Sequence, residues 1–180
     1  MKFVLVSSCL LGKPVRYNGT HKLAENDVLA RWLNEGRVVS VCPELAGGMP
    51  VPRPPAEIIG GGGIQVFSGL ARVVDAEGND VSRAFVAGSV QTLEQAKLKG
   101  IRVAVLKEDS PSCGSGSIYD GTFTGKRIQE QGVTAALLES EGIRVFSETQ
   151  FAQAEAYLRS LDAEATETAM LGSYTARTIG

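Results

Sequence analysis

The chain has 180 residues, 43% hydrophobic and 21% charged, with 18 Lys+Arg against 20 Asp+Glu. That length suits one domain able to bury a core without a disulfide or metal to staple it. A net charge of −2 argues against a dedicated polyanion binder, and no apolar run approaches the roughly 20 residues of a membrane span, so neither nucleic acid nor membrane is an expected partner.

In chain order, Phe3–Val6 lacks the long apolar stretch and small-residue cleavage site of a signal peptide and reads as a buried strand. Residues 26–35 predict a helix, with Val28, Leu29, Trp32 and Leu33 on one face and Gly36 at its end. Val38–Val41 is a second strand. Residues 43–63 read as a long ordered loop, and Gln65–Phe67 with Ala71–Val74 as a hairpin turning through Ser68-Gly69. The run Gly60–Gly63 is read as a flexible turn rather than a phosphate cradle, because no Gly-Lys-Ser/Thr follows and no strand-to-helix junction is predicted there. Asp80 is a candidate N-cap for a helix of about 19 residues closed by Gly100. Ile101–Leu106 is a third strand, residues 109–125 a Ser/Gly-rich loop, Thr134–Ser140 a helix, and Ile143–Phe146 a strand. Ser147-Glu148-Thr149-Gln150 has capping-box form and predicts a last helix to about Ser160.

Strands alternating with helices imply an α/β fold. The expectation is a single-domain, three-layer, Rossmann-like open sheet, mostly parallel, with helices on both faces, a long Pro/Gly-rich loop and a small hairpin. The domain is expected over residues 1–160, with 161–180 a tail that frays or docks through Met170, Leu171, Tyr174 and Ile179.

The chain has three cysteines, Cys9, Cys42 and Cys113, and one histidine, His21. An odd number of cysteines weighs against a secreted disulfide scaffold, and a cytoplasmic location is expected. No local C-x-x-C pattern exists. Each cysteine nevertheless lies just past the carboxyl end of a predicted strand, and in an open parallel sheet those ends share the ligand-binding edge. The bland alternative is three small buried hydrophobes. All seven prolines fall within 13 residues of a cysteine, which stiffens these loops. Three gathered thiolates suit two soft-metal sites. One is a closed Cys₃His zinc site completed by His21, giving a binding module without catalysis. The other is an iron–sulfur cluster with one iron left open as a Lewis acid. A third reading is a thiol enzyme with one activated cysteine and His21 as base. Spacing alone does not choose among them.

The segments Ser7–Gly19 (SSCLLGKPVRYNG), Cys42–Ile58 (CPELAGGMPVPRPPAEI) and Leu106–Gly114 (LKEDSPSCG) together resemble the bacterial thiouracil desulfidase family, over about residues 1–160. The resemblance implies a [4Fe–4S] cluster held by Cys9, Cys42 and Cys113. It implies a fourth iron that takes the sulfur of a thiolated pyrimidine such as 2-thiouracil, with water replacing that sulfur without net redox change. The expected partner is thus a small thiolated nucleobase. The family's acidic residue after Cys-Pro corresponds to Glu44, and the serine of Ser-Pro-Ser-Cys to Ser110. The chemistry is compatible: Glu44, two residues from a cysteine, is a candidate base for the water, and Ser110 a candidate hydrogen-bond donor or proton relay. Asp109, Ser112, Arg16 and Arg53 are secondary candidates for substrate contact, with Lys107 beside them on the same predicted edge.

Overall fold

In the computed structural model the protein is described over residues 1–177, with side chains through residue 167. In chain order the elements are β1 (Val4–Ser7), α1 (Asp27–Asn34), β2 (Val38–Val41), α2 (Pro43–Ala46), β3 (Ala56–Ile59), α3 (Gly63–Phe67), β4 (Arg72–Asp75), α4 (Ser82–Leu98), β5 (Val103–Leu106), β6 (Ile118–Tyr119), β7 (Arg127–Ile128), α5 (Val133–Ser140), β8 (Arg144–Ser147) and α6 (Phe151–Arg177). A four-stranded parallel sheet has the order β2-β1-β5-β8. The two central strands, β1 and β5, are buried at every residue. Their side chains alternate between faces, as strand geometry requires. Val4, Val6, Val103 and Val105 meet Leu29, Trp32, Phe151 and Leu158 of α1 and α6. Leu5, Ala104 and Leu106 meet Leu93, Ala96, Ala135 and Leu138 of α4 and α5. The expected three-layer α/β architecture is therefore present. No helix among the described residues is long and apolar enough to cross a membrane.

Local chemistry explains the element ends. Asn26 caps α1, its Oδ1 accepting from Val28 N–H at 2.9 Å, and Gly36 and Gly100 take the left-handed conformation past the ends of α1 and α4. Of the four apolar residues predicted on one face of α1, Leu29 and Trp32 are buried and Val28 partly so, while Leu33 is half exposed. The expected Asp80 cap is shifted by one residue: Val81 is the N-cap of α4, without a side-chain cap bond, and Asp80 just before it accepts from Ser82 N–H at 2.9 Å. The Ser147–Gln150 cap forms, with Ser147 N–H donating to Gln150 Oε1 at 3.0 Å.

Five local expectations are corrected. Residues 43–63 are not a loop throughout, since they hold α2 and β3. The hairpin pairs β3 with β4, antiparallel, and Gly63–Phe67 is a helical turn. A short apolar run does not declare its period. Here Gln65 Oε1 accepts from Gly62 N–H at 3.0 Å and turns the chain. In consequence Gly60–Gly62 does join a strand to a helix, but a side chain at Gly62 would run into the Glu130 carboxylate, an environment hostile to phosphate. The Ser/Gly-rich stretch 109–125 holds β6 and leads into β7, a second small hairpin. Finally, α6 continues to Arg177 rather than stopping near Ser160, because residues 161–177 contain no proline and are rich in good helix formers. Leu161 is buried and Asp162 accepts from Arg37 at 3.1 Å, whereas the side chains of Met170, Leu171 and Tyr174, and Ile179 altogether, lie outside the described residues.

Candidate active site

The chain runs from β1 to β2 on one side, then crosses to β5 on the other, so the strand order reverses between β1 and β5. Ligand crevices of open parallel sheets form at such a point, outside the carboxyl ends of the strands. Ser7, the last residue of β1, bridges it. Its Oγ accepts from Lys107 N–H at 3.1 Å, just past β5, and its hydroxyl donates toward Cys113 Sγ at 3.7 Å.

All three cysteines face this crevice. Cys9 sits in a single helical turn, Ser8–Leu11, directly after β1. Cys42 is the N-cap of α2, directly after β2, with Pro43 pre-set for the first helical position. Cys113 follows β5 in the Ser110–Gly114 turn. The cavity they share has a volume of about 540 Å³ and is also lined by Arg16, Tyr17, Glu44, Arg53, Glu57, Lys107, Glu108, Asp109, Ser110, Tyr119 and Phe123. The cysteines are free thiols. Burial pushes the Cys9 thiol up to about 11, with Cys42 adding to the rise and Arg16 and Lys107 opposing it. Burial also raises Cys42, and raises Cys113 further, with Cys9 and Cys42 contributing to that rise. Three sulfurs that resist ionisation together are stable as thiolates only with positive charge among them, which is what a bound metal group provides. The thiol-enzyme reading gave His21 the role of base, and His21 is not on the wall of this cavity.

His21 is exposed, accepts Leu23 N–H at its Nδ1 at 3.3 Å, and is not part of the cavity wall, so the Cys₃His zinc set is not assembled. Among the described residues no three His, Cys, Asp or Glu side chains are grouped as a single ion requires. Ligands of one ion crowd around one point, whereas ligands of a cluster each bind a different iron. Three cysteines spread around one cavity fit the second case, and they are the residues able to hold such a group.

The polar candidates divide. Glu44 is ion-paired with Arg53, whose Nε and Nη2 reach the same oxygen, Oε2, at 2.6 and 2.5 Å. Glu44 Oε1 has no protein partner among the described residues. Arg53, expected among the substrate contacts, lies on the cavity wall with its guanidinium engaged by protein partners. It is 8% exposed and also donates to the carbonyls of Pro50 at 3.0 Å and Val15 at 3.2 Å. Ser110 Oγ accepts from the N–H groups of Ser112 at 3.2 Å and Cys113 at 3.1 Å, fixing the Cys113 turn and leaving the hydroxyl proton for the cavity. Ser112 is corrected, since the structure does not bring it to the cavity wall. It is fully buried and bonded to Thr134 Oγ1 at 2.8 Å. Asp109, at a left-handed φ of 61°, is held by Ser117 Oγ at 2.7 Å and by Arg127. Arg16 lies 5.5 Å from the Tyr17 ring centre, on the cavity wall. Lys107 pairs with Glu148 and donates to the Glu108 carbonyl at 2.9 Å.

Sequence reasoning missed Ser7, Glu57, Glu108 and the aromatic wall. Glu108 organises the Cys113 loop. Burial opposes its charge, yet hydrogen bonds from Ser115, Gly116 and Ser117 hold its carboxyl below the ordinary value. Glu57 carried the one usable signal, a lone acid in the strand Ala56-Glu57-Ile58-Ile59.

Comparison with known proteins gives three findings. The profile of the 2-thiouracil desulfurase family matches residues 4–150. The uncharacterized protein YbbK of Bacillus subtilis (strain 168) is 50% identical over 147 residues, covering 82% of this chain and 96% of that protein. A solved structure described as [4Fe–4S]-dependent thiouracil desulfidase TudS superposes with a TM-score of 0.81 at 44% identity, covering 88% of this chain and 99% of that one.

Proposed function

The chain belongs to the 2-thiouracil desulfurase family, and on that footing we propose that it is a [4Fe–4S]-dependent enzyme converting a thiolated pyrimidine such as 2-thiouracil to its oxo form. The observation that carries this reading is the convergence of Cys9, Cys42 and Cys113, from the ends of three parallel strands, on one cavity. The similar solved protein is described as [4Fe–4S]-dependent, and this chain has the three thiols for such a cluster. A cluster held by three protein thiolates supplies one iron free of protein sulfur, a soft Lewis acid suited to a thiocarbonyl. The reaction is C=S + H₂O → C=O + H₂S, with no electron gained or lost.

The protein's own groups do the rest. Glu44 takes a proton from the attacking water at Oε1, the oxygen its partner leaves open, while Arg53 holds the carboxylate in one orientation at Oε2. Ser110 donates its hydroxyl hydrogen to the departing sulfur, because its Oγ already accepts two backbone N–H groups. Arg16 and Lys107 offset negative charge at the cavity. Asp109 contributes to the rim rather than to ring contact, its carboxylate being held by Arg127 and Ser117. Free thiols and an oxygen-sensitive cofactor fit the reducing cytoplasm.

The test is purification without air, followed by iron and sulfide analysis and sulfide release from 2-thiouracil. We expect about four irons with matching labile sulfide per chain. Cys9→Ala, Cys42→Ala and Cys113→Ala should each abolish both cluster and activity. A colourless protein that releases no sulfide after anaerobic reconstitution would end this reading.

A further inference from the structure

Two carboxylates on the cavity wall have one oxygen fully engaged and the other without a protein partner among the described residues: Glu44 and Glu57. Glu108 and Asp109, on the same wall, have both oxygens hydrogen-bonded. The proposed reaction uses one free carboxylate oxygen, that of Glu44, and leaves the other unexplained.

Glu57 is 8% exposed, on β3. Its Oε2 accepts the backbone N–H of Gly121 at 2.9 Å and of Phe123 at 3.0 Å. These bonds hold Phe123 at a left-handed φ of 57°, on the cavity wall. Gly121, at φ 87°, lies so close to β3 that a Cβ there would come within 2.6 Å of the Ile58 carbonyl oxygen. One oxygen thus does all the structural work, and an amide carbonyl would do it equally well. The charge and the second oxygen, Oε1, are surplus to the fold. Oε1, on a residue of the cavity wall, is therefore the oxygen left to accept a hydrogen from a ligand. The surrounding wall, with Tyr17 and Phe123, offers apolar faces to a flat ring.

We propose that Glu57 Oε1 accepts a ring N–H adjacent to the thiocarbonyl carbon of the substrate. The site would then select free thiolactam-type heterocycles that carry this hydrogen. Holding hydrogen on nitrogen also keeps the substrate in its C=S tautomer, the form with a carbon open to water. This inference rests on the proposed desulfuration and names the group that recognises its substrate.

The experiment measures binding by calorimetry, alongside sulfide release, for 2-thiouracil and its two ring-N-methyl isomers. Wild type is compared with Glu57→Gln, and iron content monitors cofactor integrity. Gln retains an acceptor for Gly121 and Phe123 but presents NH₂ to the cavity, opposing the substrate N–H. We expect Glu57→Gln to bind 2-thiouracil at least tenfold more weakly with unchanged iron content. We also expect one methyl isomer to bind wild type at least tenfold more weakly than the parent and to lose nothing further in the variant, as a site built around a donor rejects an analogue lacking it. Both methyl isomers binding wild type as well as the parent overturns the inference, whatever the variant does, and so does a Gln variant indistinguishable from wild type. Wild type that releases sulfide while Glu57 is silent leaves the desulfuration standing and removes this inference alone. Wild type that neither binds nor converts any of the three compounds removes both.

Discussion

Glu44 and Arg53 lie nine positions apart and form a tightly held ion pair on the cavity wall. The Arg53 guanidinium spends its donors in three directions, on the Glu44 carboxylate and the carbonyls of Val15 and Pro50. A planar fork can do this and a lysine ammonium cannot. The pair therefore presents Glu44 Oε1 in one orientation. Glu44→Gln should keep its iron and lower sulfide release by roughly 10²–10⁴, the usual worth of a positioned acid–base group. Near-normal turnover would take Glu44 out of the reaction. At this scale the cysteines were legible, because each follows a recognisable strand. Ser112 was not. Its neighbour Ser110 faces the cavity, while Ser112 turns inward to Thr134, and one turn of chain sends adjacent hydroxyls in opposite directions.

Among the elements, α2 shows how tightly the site is seated. This short helix carries Glu44 and begins beside Cys42. It is pressed against α4 at two glycines. A Cβ on Gly88 would overlap the Pro43 carbonyl oxygen and sit 2.9 Å from Gly47 N, and one on Gly47 would overlap the Ala84 carbonyl oxygen. In an exposed helix, Gly→Ala stabilises by about 1 kcal/mol. Here the sign should reverse. Gly88→Ala should destabilise by roughly 1–3 kcal/mol, the usual cost of overpacking, and should lower iron content by shifting α2. A denaturation midpoint equal to or above that of wild type would show that the helices part easily. The β3–β4 pairing belongs to this scale too. Val66 and Phe67 have the composition of a strand, but Val66 is buried against the Ile58 and Val73 cluster as part of a helical turn. Packing on a neighbouring element decided it, and a short window of sequence carries no record of that neighbour.

Across the whole molecule, α6 ties the carboxyl-terminal half to α1. Glu155 accepts from Trp32 Nε1 at 2.6 Å, Arg31 at 2.7 Å and Arg159 at 2.5 Å. Burial opposes its charge, but the bonds from Trp32 and Arg159 and the charge of Arg31 leave its carboxyl below the ordinary 4.5. A carboxyl depressed on folding contributes stability above the unfolded value, and that contribution is lost as pH falls through the folded one. Glu155→Gln should therefore be less stable than wild type by about 1–2 kcal/mol at neutral pH, with the gap closing as pH drops below 4.5. Urea unfolding at several pH values measures it, and a gap that does not change with pH would assign the effect to packing alone.

The amino-acid sequence by itself determined the alternation of strands and helices, the caps that bound them, the three cysteines at strand ends and the motifs of the family. These are properties of short windows, in which periodicity, capping residues and covalent order carry the information. Only the tertiary structure decided that the order β2-β1-β5-β8 opens a crevice between β1 and β5, that Arg53 pairs with Glu44, and that Glu57, bonded to protein through one oxygen, lines the same cavity. Each of these depends on groups brought together by core burial on both faces of the sheet, and burial is a property of the assembled layers that no single segment contains.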